Sequence, residues 1–274
     1  MVQVFDVHRH FDHPPADEAL FRVPPRAEHV EFAEGVAAMS GPSRLDEVFV
    51  AVHPPSYYVL TEGIEATRRL NDLAHSVAEV HGAGVVPVGT VEPHHGEAAL
   101  AEIDRVALEL GLTALGWRPR AQGVFADAPT MTSLVARAAD RGLVPMVHAS
   151  AGSGNEALWR VWRLAERFPS VPIVVLGALS DWDQKQEVLA QPDRASNVVY
   201  DLTGFFGEAE DIEGVAARLG AERLVFGSGA GCDLLVDGDR AARVVADSAL
   251  AEPLKRAVLW DNAARLFGLE GAQT

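Results

Sequence analysis

A single cysteine, Cys232, stands in 274 residues. One thiol cannot close an internal disulfide, so a reducing, cytoplasmic setting is expected. No apolar run approaches the roughly 18 residues needed to cross a bilayer. The opening MVQVFDVHRHF lacks the basic stretch and apolar run of an export signal, so the protein is expected to be soluble and not exported. Basic residues are also scarce: 23 Lys and Arg against 39 Asp and Glu leave a formal charge of −16. That surface repels phosphate backbones and anionic lipid, which argues against nucleic acid and membrane as partners. A glycine-rich phosphate loop after an early strand is missing too, which disfavours an open doubly wound sheet.

What is present alternates. Hydrophobic residues make up 48% of the chain, enough for a large core. Strand-like runs at 2–7, 47–52, 84–91, 113–117, 143–148, 171–176, 197–202 and 223–227 are separated by segments with helical periodicity. Several runs, such as VPIVVLG and RLVFG, are nearly continuous in apolar residues, as strands covered on both faces are. Between them, Ile64, Leu70, Leu73, Val77 and Val80 mark one helical face in 62–81. Leu100, Ile103, Ala107 and Leu110 mark another in 97–110, and Asp127 and Pro129 mark a helix start. Eight strand–helix units in a chain of this length predict an α/β fold, a single-domain (β/α)8 TIM barrel over residues 1–274. The stretch 11–28, rich in proline and charge, reads as a loop over the barrel mouth, or in part as a short helix.

In such barrels function sits at the C-terminal strand ends. The first strand ends in Asp6, His8 and His10; residues two apart in a strand share a side, so both imidazoles can meet one ion. Ten histidines in 274 residues give roughly 0.4 such pairs by chance, so position carries the argument rather than spacing. His148 ends the fifth strand. Arg118 follows the fourth, suited either to a substrate carboxylate or to an acidic neighbour. His53 ends the second strand, as rim residue or ligand. Glu92, His94 and His95 follow the third, chiefly as loop residues. Asp201 ends the seventh as a structural hydrogen-bonding group.

Six stretches in the right order resemble the amidohydrolase-2 family of metal-dependent TIM-barrel hydrolases and decarboxylases. They are FDVHRHF, the segment PVGTVEPHHGEAALAEIDRVALELGLTALGWRP, DAPTMTSLVARAADRGLVPMVH, VVYDLTG, RLVFGS and DNAARLFGL. The resemblance covers nearly the whole chain. It implies His8, His10 and His148 as ligands of a divalent metal, with zinc the expected ion. It also exposes two departures. Ala178 occupies the place of a sixth-strand histidine, and Gly229 that of an eighth-strand aspartate. Both positions are expected to face the cavity of His148. Asp181, Asp183 and Asp233 are the carboxylates that would substitute from a shifted loop.

The expected activity is hydrolysis of an amide, ester or lactone, or non-oxidative decarboxylation of a small carboxylated substrate. Arg118, Asp181 and Asp233 are the catalytic candidates beside the three histidines. With two groups missing, the metal is expected to be weakly held or absent. The alternative is a catalytically silent barrel that binds a small molecule or supports an active paralogue in a hetero-oligomer; a homo-oligomer is equally compatible. Metal-free hydrolysis is a third reading.

Overall fold

The apolar runs become eight strands: β1 (Gln3–His10), β2 (Glu47–His53), β3 (Val85–Gly89), β4 (Ala114–Trp117), β5 (Val144–His148), β6 (Ile173–Leu176), β7 (Val198–Asp201) and β8 (Leu224–Val225). The structure, a computed structural model, describes residues 3–10, 47–53, 63–81, 84–229 and 240–269. Every neighbouring pair is parallel, in the order β1 to β8. The ends then meet. Val7 N–H donates to Phe226 O at 2.9 Å, and Gly229 N–H donates to His8 O at 2.7 Å. These bonds return the last strand to the first and remove the open edge. The fold is the (β/α)8 barrel that the alternation predicts.

Helices α1 (Ile64–His81), α2 (Glu97–Leu108), α3 (Pro129–Asp140), α4 (Leu158–Ala165), α5 (Trp182–Ala190), α6 (Ala209–Leu219) and α7 (Arg240–Asp247) lie between or after the strands. The terminal helical stretch is not uniform. It runs as α8 (Glu252–Arg256), a π-helical turn (Ala257–Asp261) and α9 (Asn262–Leu266). Among the described residues no helix is long and apolar enough to cross a membrane. Asp127 does not cap α3. Ala128 takes the cap position before Pro129, and the Asp127 carboxylate pairs instead with Arg160 (2.7 Å) and Arg163 (3.2 Å).

Strand alternation divides the core in two. Phe5, Val7, Val86, Val88, Ala114, Val144, Met146, Val174, Leu176, Val199 and Val225 fill the barrel interior. Residues of the other parity, including Leu115, Trp117, Val147, Val175 and Tyr200, pack outward against the helices. Phe5, near the start of β1, stacks on Phe267 (5.2 Å between centroids) and lies 5.8 Å from Trp260. The terminal helix thus plugs the N-terminal end, and only the opposite end remains for chemistry.

Candidate functional site

Simple alternation would send His8 outward, because Phe5 and Val7 point into the barrel. The register between β1 and β2 corrects this. Asp6 pairs with Val50 but Arg9 pairs with Val52, so β1 carries one extra residue between them. This bulge resets the parity at the end of the strand and turns His8 and His10 inward. The sequence-based boundary at residue 7 fell where the pattern changes phase; the strand itself continues through His10. On β5 no reset is needed, since His148 shares the inward parity of Val144 and Met146.

The three imidazoles converge. One ligand atom from each of His8, His10 and His148 lies within 4.8 Å of the others, and all three side chains are buried. His8 Nε2 and His10 Nε2 stand 3.1 Å apart. Two nitrogens about 2.0–2.1 Å from a shared ion, at a tetrahedral angle, would be about 3.3 Å apart. The donor set and its spacing therefore fit a divalent transition metal.

Asp201 explains why His8 faces this way. It shares the inward parity of Val199, and its Oδ2 accepts from His8 Nδ1 at 2.9 Å. Thr203 Oγ1 is 2.8 Å from the same nitrogen and donates to the same carboxylate oxygen. The other oxygen, Oδ1, accepts from Gly177 N–H at 2.6 Å. With Nδ1–H committed to the carboxylate, the Nε2 lone pair is left for a metal, the usual carboxylate–histidine arrangement behind such ligands. Gly227 makes room for the cluster: a Cβ there would stand 2.8 Å from both Asp201 Oδ2 and Thr203 Oγ1 and 3.0 Å from His8 Cβ. Asp201→Asn keeps the shape and removes the charge. It is expected to weaken metal affinity by about 10–100-fold with little change in fold, read by competition against a chelating dye.

Other polar groups ring the mouth. Asp6 Oδ1 accepts from His8 N–H (3.1 Å) and Ser228 N–H (2.8 Å), tying β1 to the segment after β8. Burial raises its pKa above the usual carboxylate range despite these bonds. Arg118 follows β4 and is partly buried; its charge bears on Glu156, a buried carboxylate that accepts from Arg120 N–H at 3.1 Å. Glu156 is raised by burial, and the two arginines partly offset the shift.

Glu92 is fully buried just after β3, as the cap of the short 3-10 turn Pro93–His95. Its Oε1 accepts from His94 N–H at 3.2 Å, while Oε2 has no hydrogen-bond partner. Burial pushes its pKa up to about 7. The folded value lies above the unfolded one, so stability is fully present below about pH 4.5 and is lost as pH rises through 7. In metal-free protein, Glu92→Gln should therefore match wild type at pH 4.5. It should become more stable above pH 7 by up to about 3 kcal/mol, measured by urea unfolding across that range.

The remaining sequence candidates lie as follows. Asp181 caps α5, its Oδ1 accepting from Gln184 N–H at 3.0 Å; Asp183 is exposed in the first turn of that helix. Asp233, like Cys232 and the loop 11–28, lies outside the described residues. His53 pairs with His10 through the backbone of β2. His94 is exposed, with Nε2 3.0 Å from Gln122 O. Ala178 is fully buried and groups with the larger core cluster, directly after Gly177 at φ +78°. Gly229 has φ +67°, and a Cβ there would lie 2.5 Å from Thr203 Cγ2. The residues that sequence reasoning undervalued are Asp201 and Glu92. For Asp201 the signal was strand parity, since it continues the inward row of β7; Glu92 lies past the end of β3, and its burial sets it apart.

A three-histidine centre on β1 and β5, at the mouth of a closed parallel barrel, coincides with a match of the amidohydrolase family model to residues 5–269. The chain belongs to the amidohydrolase family. No curated protein matches it. Among solved structures, this amidohydrolase resembles 5-carboxyvanillate decarboxylase from Sphingomonas paucimobilis, at 17% identity and a TM-score of 0.70, with 98% of this chain and 99% of that one covered. It also resembles 2,6-dihydroxybenzoate decarboxylase from Rhizobium, at 14% identity, a TM-score of 0.70, and coverage of 99% and 100%. A third is dihydroxybenzoic acid decarboxylase from Polaromonas sp. JS666, with bound manganese and the inhibitor 2-nitroresorcinol. It has 15% identity, a TM-score of 0.69, and coverage of 99% and 98%. At these identities the likeness is one of fold.

Proposed function

We propose that this amidohydrolase is a metal-dependent, non-oxidative decarboxylase of a small carboxylated substrate. His8, His10 and His148 would hold a divalent ion, and an all-imidazole donor set favours zinc. The observation that carries the reading is the convergence of three buried imidazoles at the open end of the barrel, one of them oriented by Asp201. When bound, the ion supplies a Lewis acid for a substrate oxygen. The chain supplies the rest. Arg118, following β4, offers a fixed cation for the substrate carboxylate. The apolar interior beneath the histidines, from Val88 to Met146 and Leu176, excludes water from below.

Decarboxylation is favoured over hydrolysis by the state of the carboxylates. Hydrolysis needs a base to take a proton from water. Both Asp201 oxygens are already accepting hydrogen bonds, position 229 carries no side chain, and burial keeps Glu92 in its protonated form below about pH 7, as an acid rather than a base. Two solved structures of similar fold are a 5-carboxyvanillate decarboxylase and a 2,6-dihydroxybenzoate decarboxylase, which makes 5-carboxyvanillate and 2,6-dihydroxybenzoate the first compounds to test. Protein loaded with zinc or with manganese should release carbon dioxide from at least one of them, and chelated protein should not. A fully loaded protein that turns over neither, nor any related benzoate, favours the silent barrel.

A further inference from the structure

Among the described carboxylates at the mouth, three are engaged. Asp6 bonds two backbone N–H groups, Asp201 is saturated by His8, Thr203 and Gly177, and Glu156 accepts from Arg120 N–H beside two arginines. Glu92 differs. It lies just past the C-terminal end of β3, it is fully buried, and its Oε2 is uncommitted. It is not a fourth member of the histidine cluster, whose ligand atoms lie within 4.8 Å of one another. Following the C-terminal end of β3, it stands at the same end of the parallel barrel as the three histidines.

We propose that Glu92 is the acid that protonates the substrate carbon as carbon dioxide leaves. The assignment rests on the decarboxylase reading above. The proton on Glu92 Oε2 moves to the carbon that bears the carboxylate. The bond from that carbon to the carboxylate then breaks, its electron pair remaining on the ring, and carbon dioxide departs. Glu92, left as a carboxylate, recovers a proton from water. Burial favours the protonated starting form near neutral pH. Beside it among the described residues stands the titratable side chain of His94, whose Nε2 is 3.9 Å from Oε1.

Two measurements test this. In the first, metal-loaded wild type, Glu92→Gln and Glu92→Asp are compared on 2,6-dihydroxybenzoate and 5-carboxyvanillate. Glutamine should lower kcat by about 10²–10⁴-fold, the usual contribution of a general acid, with KM and metal content unchanged; aspartate should restore part of the rate. A glutamine variant within threefold of wild-type kcat overturns the assignment. The second measurement does not need turnover. Infrared difference spectra should contain a carboxylic-acid band that titrates near pH 7 and is missing from Glu92→Gln. That band should shift when 2-nitroresorcinol is added to the metal-loaded protein. A band that no such ligand moves means that Glu92 does not touch the site, and the assignment fails. If wild type turns over no carboxylated benzoate yet the band shifts, the decarboxylase reading fails while the contact of Glu92 with ligand stands.

Discussion

Alanine at His8 is expected to reduce bound metal from near one equivalent per chain to less than about a tenth, with loss of any metal-dependent activity. Three nitrogen donors already form the minimum set of a catalytic zinc site, in which water or substrate takes the fourth position. Removing one leaves two, and His8 is also the donor fixed by Asp201. The fold should persist, because Asp201 retains its bonds from Gly177 N–H and Thr203, and β1 remains tied to the segment after β8 through Val7, Asp6 and the His8 backbone. His10→Ala should lose metal equally while leaving the His8–Asp201 contact untouched. Elemental analysis after gel filtration, with circular dichroism as the control for folding, measures both. If each variant keeps a full equivalent, the metal site lies elsewhere, and His94 and His95 are the first residues to examine.

Restoring the absent eighth-strand aspartate is expected to harm the protein. Gly229 sits at φ +67°, where an L side chain is strained, and its Cβ would come within 2.5 Å of Thr203 Cγ2. Thr203 cannot withdraw freely, since its hydroxyl is bonded to Asp201 and lies against His8. Gly229→Asp should therefore cost about 2–4 kcal/mol of stability from strain and overpacking and should not raise metal content. Adding Ala178→His should not help, because Ala178 is fully buried and an imidazole there would overpack the core. Urea unfolding and metal analysis of the single and double variants test this. Unchanged stability together with higher metal occupancy in the double variant would show that the eighth-strand backbone still accepts the aspartate.

The barrel was legible because each strand advertises itself by an apolar run and each helix by its stripe, and a closed parallel barrel follows from counting them. His8, His10 and His148 were legible as a group because all three stand at strand ends. The means by which His8 enters the cavity was not. A bulge is a property of the pairing between β1 and β2, and one strand read alone cannot show that an extra residue has shifted its phase. The positive φ of Gly177, just before Ala178, is likewise invisible in the sequence pattern. Asp201 looked like an ordinary strand-end carboxylate because its partners, His8 and Gly177, are 193 and 24 residues away. Glu92 was concealed among polar loop residues, and only its complete burial separates it from them.

The central claim is that His8, His10 and His148 share one ion. X-ray absorption at the metal edge of zinc-loaded protein tests it most directly. The account predicts one site per chain, with a first shell near 2.0–2.1 Å and the outer-shell scattering of about three imidazoles. That signal should fall to about two imidazoles or vanish in His148→Ala. A spectrum of oxygen ligands alone, or one unchanged by His148→Ala, would contradict the account.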